Sequence, residues 1–142
     1  MLYTGAGPNG VGLGLAVQGD QGWERAGTAA VLAPGPAGSH DEDAVSNPSV
    51  VQVGGCFVAG YKATSTATPP DDESVGVAVS VDGESWSRGP DPALVITRDY
   101  EADGVVDPAL FVHDDHVWML YAALDADFVN AIALARRPIP RL

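Results

Sequence analysis

The sequence predicts an all-β chain made of the four-stranded antiparallel blades of a β-propeller, with the ring incomplete. Three observations carry this. Asn47-Pro48 to Tyr61 and Asp107-Pro108 to Tyr121 align without a gap at an offset of sixty residues. Leu13-Gly14-Leu15-Ala16-Val17 matches Val75-Gly76-Val77-Ala78-Val79, and each is followed by Asp, Trp and Arg: Asp20, Trp23, Arg25, then Asp82, Trp86, Arg88. A third copy starts at Ala131-Ile132-Ala133-Leu134. Finally, 17 Gly and 11 Pro interrupt every stretch long enough for a sustained helix. Self-similarity at a fixed period marks a repeat architecture, and strict alternation of large and small residues marks the pleat of a strand.

The elements follow in order. Strand one of the repeat runs over 49–53, with a turn at Gly54-Gly55, and strand two over 56–63. A loop over 64–74 leads to strand three at 75–81. Asp82-Gly83 is a turn signal and Trp86 opens strand four. The Pro- and Asp-rich stretch 89–104 leads to the next strand one at 109–113. The single partial domain 1–142 thus divides into the end of one blade (1–38), a full blade (39–98) and the start of a third (99–142), ten strands in all. Gly14, Ala16, Gly76, Ala78, Ala131 and Ala133 leave room for a close sheet or for a ring lying across them. Gly76, Ala78 and Ser80 should face away from Val75, Val77, Val79 and Val81, with both faces covered by neighbouring sheets. An incomplete ring leaves blade faces and edges open, so self-association through them is expected.

Charge and composition narrow the partners. The net charge of −12, with Lys62 the single lysine, argues against nucleic acid and anionic membrane and leaves a neutral saccharide ligand permissible. Cys56 is the one cysteine, so no internal disulfide forms and the redox compartment stays open. No signal peptide opens the sequence, which reads as cytoplasmic if the chain start is native and otherwise leaves the location unknown.

The pairing of Asp107-Pro108-Ala-Leu-Phe111 with Trp118-Met-Leu-Tyr121 resembles the five-bladed propeller glycosidases, glycoside hydrolase families 43 and 32 and their relatives. The stretch from Val75 to Trp86 resembles the strand and Asp-Gly-x-x-Trp turn repeated in such blades. The resemblance covers nearly the whole chain, which amounts to about two and a half blades. It implies saccharide cleavage by carboxyl groups that meet in a central funnel: Asp near the start of innermost strands, and a Glu as general acid. Two such groups stand roughly 5–5.5 Å apart for retention or 6.5–9.5 Å for inversion.

Residue by residue, the resemblance places Asp107 in the funnel, preceded by Val106 where the family usually has Arg. Asn47 takes the equivalent place one blade earlier and cannot act as base or nucleophile. Glu101 and Glu42 precede innermost strands and are candidates for the acid. Asp107 and Glu101 are therefore the candidate catalytic residues. Asn47, Asp43 and Trp118 are the candidate substrate-binding residues. Pro108 favours an extended backbone at Asp107. The alternative reading is a non-catalytic carbohydrate-binding or scaffold propeller fragment, and a third is a truncated reading frame without activity.

Other motifs have plainer readings. Gly5-Ala-Gly7-Pro-Asn-Gly10 spells a dinucleotide fingerprint, but an alternating strand follows it where the cofactor needs a helix N-terminus. His113-Asp114-Asp115-His116 aligns with the Gly54-Gly55 turn and reads as a polar hairpin tip. The sequence thus calls for neither cofactor nor metal. Trp23, Trp86, Arg25 and Arg88 recur at matching positions, as residues that serve the blade do: Trp packs between blades and Arg pairs with an acid or carbonyl. The acids Asp41, Glu42, Asp43, Asp71, Asp72, Glu73, Asp99, Glu101, Asp103, Asp107, Asp125 and Asp127 fall in two loop sets that share one propeller face. They read mostly as a solvated surface, with the alternative of an electronegative funnel.

Overall fold

The computed structural model describes residues 1–67, 73–127 and 129–139, so Asp71 and Asp72 lie outside the described residues. Ten strands occur among those residues: β1 (Leu2–Gly7), β2 (Gly10–Gly19), β3 (Gly22–Ala26), β4 (Ala44–Val53), β5 (Cys56–Thr64), β6 (Glu73–Ser80), β7 (Ser87–Arg88), β8 (Gly104–His113), β9 (His116–Leu124) and β10 (Asn130–Pro138). One 3-10 turn, Asp99–Glu101, precedes β8. All hairpin pairings are antiparallel. They form three consecutive units, β1–β3, β4–β7 and β8–β10, the strand sets expected for two partial blades around a complete one. One parallel bridge, Val11 to Ala44, joins the first unit to the second. The fingerprint glycines bound a β1–β2 hairpin, with Gly10 at φ 99°.

The blades stack through side chains of alternating size. Tyr61 pairs across strands with Gly76, and Ala59 with Ala78, which in turn pairs with Arg88. Directly paired residues share a face, so Tyr61, Gly76, Ala78 and Arg88 look the same way. A Cβ at Gly76 would lie 2.3 Å from the Tyr61 ring, and one at Gly14 would lie 2.4 Å from the Tyr3 ring. The small residues therefore accommodate rings from the same sheet. This face packs on the first unit: Leu13 and Leu32 join Val45, Tyr61, Ala63 and Ala78 in one buried cluster, with Leu2 and Trp86 against it. A second cluster, Val105, Tyr121 and Ala123 with Leu94 and Met119, packs the third unit on the second.

Segments leaving strand four return to strand three in both places where they occur. Leu32 bridges to Leu13 and Leu94 to Val75. The tight turn before strand four is held by Asp82, whose carboxylate accepts the Glu84 and Ser85 N–H groups, while the Trp86 indole donates to Gly83.

Four expectations need correction. Strand one begins at 44 and 104, five residues earlier than the sequence suggests, because pairing resumes upstream of each Pro beyond a bulge. Strand four begins at Ser87, since Trp86 still belongs to the turn. The large face expected over 75–81 is only partly covered: Val75 is buried, but Val79 and Val81, toward the turn after β6, are 48% and 77% exposed. Trp23 is 59% exposed, whereas Trp86 is half-buried, because no unit covers the equivalent face of the first blade among the described residues.

Ala78 is fully buried in the first interblade cluster. Ala78→Leu should destabilise the fold by about 1–3 kcal/mol through overpacking. A midpoint of urea unfolding equal to that of the parent chain would contradict this packing.

Candidate active site

The site is built where two innermost strands come together. In β4 the register shifts between Ser46 and Ser49, and in β8 between Val106 and Ala109. Each bulge holds an (Asn/Asp)-Pro pair. Pro48 and Pro108 lack the N–H a regular ladder would need, so the ladder breaks there. Asn47 and Asp107 sit in the left-handed region, at φ 50° and φ 54°. The extended backbone expected before Pro108 is therefore not what the chain adopts. Asn and Asp are the non-glycine residues that tolerate this region best, and a bulge re-aims the side chain it carries.

The consequence is a meeting across blades. The Asn47 amide Nδ2 donates to Asp107 Oδ1, joining residues sixty apart in sequence, and both side chains remain exposed. Asn47 N–H donates to Thr4 Oγ1 at 2.8 Å, and Leu110 N–H to Ser49 Oγ at 2.8 Å. Side-chain bonds thus stitch β1 to β4 and β4 to β8. Gly60 completes the arrangement, because a Cβ there would already touch Pro108 and Leu110 at 3.4 Å. Thr4 and Ser49 were not legible as site residues. Nothing in their local sequence distinguishes them from other strand hydroxyls.

The other candidates lie elsewhere. Glu101 is 1% exposed, and its carboxylate accepts from the Tyr121 hydroxyl at 2.7 Å and from Thr97 N–H and Oγ1 at 2.8 and 3.1 Å. Desolvation pushes its pKa up, but the bonds from Tyr121 and Thr97 outweigh it and leave the carboxyl below its ordinary value. That is the wrong direction for a general acid, which is tuned upward. Glu42 accepts from Gly38 N–H and Ser65 Oγ, and so ties two loops together.

Asp43 is exposed ahead of β4, where bonds from Thr66 N–H and then Thr66 Oγ1 lower its pKa. It precedes Asn47 by four residues in sequence. Trp118 belongs to the far end of the β8–β9 hairpin. Its partner Phe111 is four residues beyond Asp107, or roughly 13 Å along a strand. There its ring stacks on Phe111 at 6.2 Å, its indole N–H donates to His113 O, and Arg136 lies over it. Strand register thus sets Trp118 apart from the Asn47–Asp107 pair, and the bonds that hold Glu101 come from Tyr121 and Thr97. The His113–His116 tip is a hairpin turn with Asp114 and Asp115 both at positive φ.

Most acids expected on the loop face are bound within the protein. The deepest is Asp41, fully buried, which accepts from Ser39 Oγ at 2.9 Å, from the Tyr61 hydroxyl at 2.9 Å and from Arg88. Arg88 also donates to Ala33 O, pairing with an acid and a carbonyl together. Burial, then the Asp41 charge, drives the Tyr61 pKa upward. Tyr121 and Glu101 repeat this contact sixty residues on. Glu73 pairs with Lys62.

Residues 36–137 match the profile of glycoside hydrolase family 130, described as beta-1,4-mannooligosaccharide phosphorylase. The chain is 32% identical over 101 residues to a beta-1,2-mannobiose phosphorylase of Thermoanaerobacter sp. (strain X514), across 64% of this chain and 33% of that protein. A solved glycoside hydrolase superposes with a TM-score of 0.75 at 21% identity, covering 99% of this chain and 41% of its own. Zg3597, a family 117 glycoside hydrolase of Zobellia galactanivorans, gives 0.74 at 19% identity over 89% and 38%. The chain thus spans well under half the length of the proteins it matches.

Proposed function

The chain belongs to glycoside hydrolase family 130, and from that premise we propose that the complete protein cleaves mannosidic linkages with Asp107 as its acid group and Asn47 beside it. The observation that carries this is the Asn47–Asp107 pair, with both residues in left-handed backbone, at matching bulges, and exposed. Such backbone costs roughly 1–3 kcal/mol per residue and is found where geometry is kept for function. Asp43, exposed just ahead of β4, is a group for the substrate rim. Glu101 and Trp118 are assigned to the framework. The domain reading remains one partial propeller over 1–142, divided after 38 and after 98. A link to families 43 and 32 rests on the shared strand and turn motifs alone.

A single carboxyl in the pair favours phosphorolysis over hydrolysis. Hydrolysis requires a second carboxyl, either to activate water or to attack the anomeric carbon. Inorganic phosphate is an anionic oxygen nucleophile and needs no such base. In this scheme Asp107 gives its proton to the departing glycosidic oxygen while a phosphate oxygen bonds to the anomeric carbon. The products are a sugar 1-phosphate and a saccharide one unit shorter. The names of the matching family and of the Thermoanaerobacter relative support this chemistry.

The test uses the longest polypeptide that carries this chain. With β-1,2- or β-1,4-mannobiose and inorganic phosphate it should release mannose 1-phosphate and mannose, and turnover should stop when phosphate is withheld. Equal release without phosphate moves the reading to hydrolysis. Binding of mannobiose with no turnover under either condition replaces it with the carbohydrate-binding scaffold, which Asn47 already favours by having no carboxyl.

A further inference from the structure

We propose that Ser49, with Gly60 beside it, is a positioning residue for Asp107: from the neighbouring blade it holds the β8 backbone just past the bulge and so fixes where the Asp107 carboxyl points. That role rests on the reading of Asp107 as the acid group. The repeat marks the two residues. Ser49 pairs directly with Gly60 across β4 and β5. Sixty residues on, Ala109 pairs directly with Leu120 in the same places across β8 and β9. Leu2, ahead of Tyr3, takes the place of Gly60 in the first unit. A residue that serves the blade recurs from blade to blade, as Tyr3, Tyr61 and Tyr121 do. The Ser49 hydroxyl and the absent side chain of Gly60 depart from the repeat where the second unit meets the third.

Both residues act on the stretch that follows Asp107. Leu110 N–H donates to Ser49 Oγ at 2.8 Å. A Cβ at Gly60 would already meet Pro108 and Leu110 at 3.4 Å, so the further carbons of a leucine would push that stretch away. The register shift between Val106 and Ala109 takes Asp107 out of the β8–β9 ladder, which therefore does not fix it. Val106 and Pro108 are buried on either side while Asp107 stays exposed. Its backbone is held instead by Pro108 seated on Gly60 and by Leu110 tied to Ser49, with Asn47 on the carboxylate itself. A proton donor works only when held in line with its acceptor, and a displacement of about 1 Å costs up to about a hundredfold in rate. The plainer role, an acceptor that satisfies one strand N–H, would affect stability and leave catalysis alone.

The test uses the longest polypeptide that carries this chain, with mannobiose and inorganic phosphate as substrates. Ser49→Ala installs the residue that the next blade carries at this place, so it should fold, and a thermal melt establishes that it does. Its kcat is expected to fall by about tenfold to a hundredfold with KM for mannobiose unchanged, and Ser49→Thr, which keeps the acceptor oxygen, to recover most of the loss. Asp107→Asn is assayed beside them. Parent-like kcat in Ser49→Ala, a loss confined to KM, or no recovery in Ser49→Thr overturns the positioning role while Asp107→Asn is still inactive. Full turnover by Asp107→Asn removes the acid reading itself, and the role of Ser49 falls with it.

Discussion

In the complete protein, Asp107→Asn should fold as the parent does and lose turnover by about 10²–10⁴-fold, the range for removing a positioned proton donor. The substitution separates two roles. Asn keeps an acceptor oxygen for the Asn47 amide and tolerates the left-handed backbone that Asp107 adopts. A residue that only bridges β4 and β8 would therefore survive the exchange with activity unchanged. A proton donor would not, because an amide cannot give up a proton to a leaving oxygen. Rates at saturating mannobiose and phosphate, together with a thermal melt, decide the matter. Intact turnover would falsify the acid assignment of Asp107.

The largest expected loss of stability comes from Asp41. Asp41→Ala should lower the unfolding free energy by about 3–5 kcal/mol, the usual cost of removing one partner of a buried ion pair. The carboxylate is fully buried, and its loss strands the Arg88 guanidinium and the Tyr61 hydroxyl between two blades. Asp41→Asn should cost less, since its amide oxygen still accepts from Tyr61. Urea unfolding of the two variants beside the parent measures both. A change below about 1 kcal/mol for Asp41→Ala would mean that the cluster decorates the interface and does not hold it.

The number and order of strands were legible in the sequence because the signals that specify them are local. Alternation in 75–79, the Gly54-Gly55 and Asp82-Gly83 turns and the sixty-residue offset all depend on near neighbours or on simple repetition. The place of Asp107 on an innermost strand was legible for the same reason. Its backbone was not. The rule that a residue before Pro is extended is also local, and here the bulge shared with β9 overrode it.

The roles of the buried acids depended on tertiary structure. Asp41 and Glu101 look like any loop carboxylates in sequence, and Glu101 looks like a catalytic acid. Asp41 meets Arg88 at a separation of 47 residues, across the full width of a blade. The surroundings of Trp118 depended on tertiary structure too: strand register sets it at the far end of its hairpin, stacked on Phe111. The sequence by itself determined the pleat, the turns and the repeat, because these cost or gain free energy within a few residues of chain. Which carboxylate is pinned and which is free was decided only when the three strand units packed, since burial and charge pairing are set by distance in space.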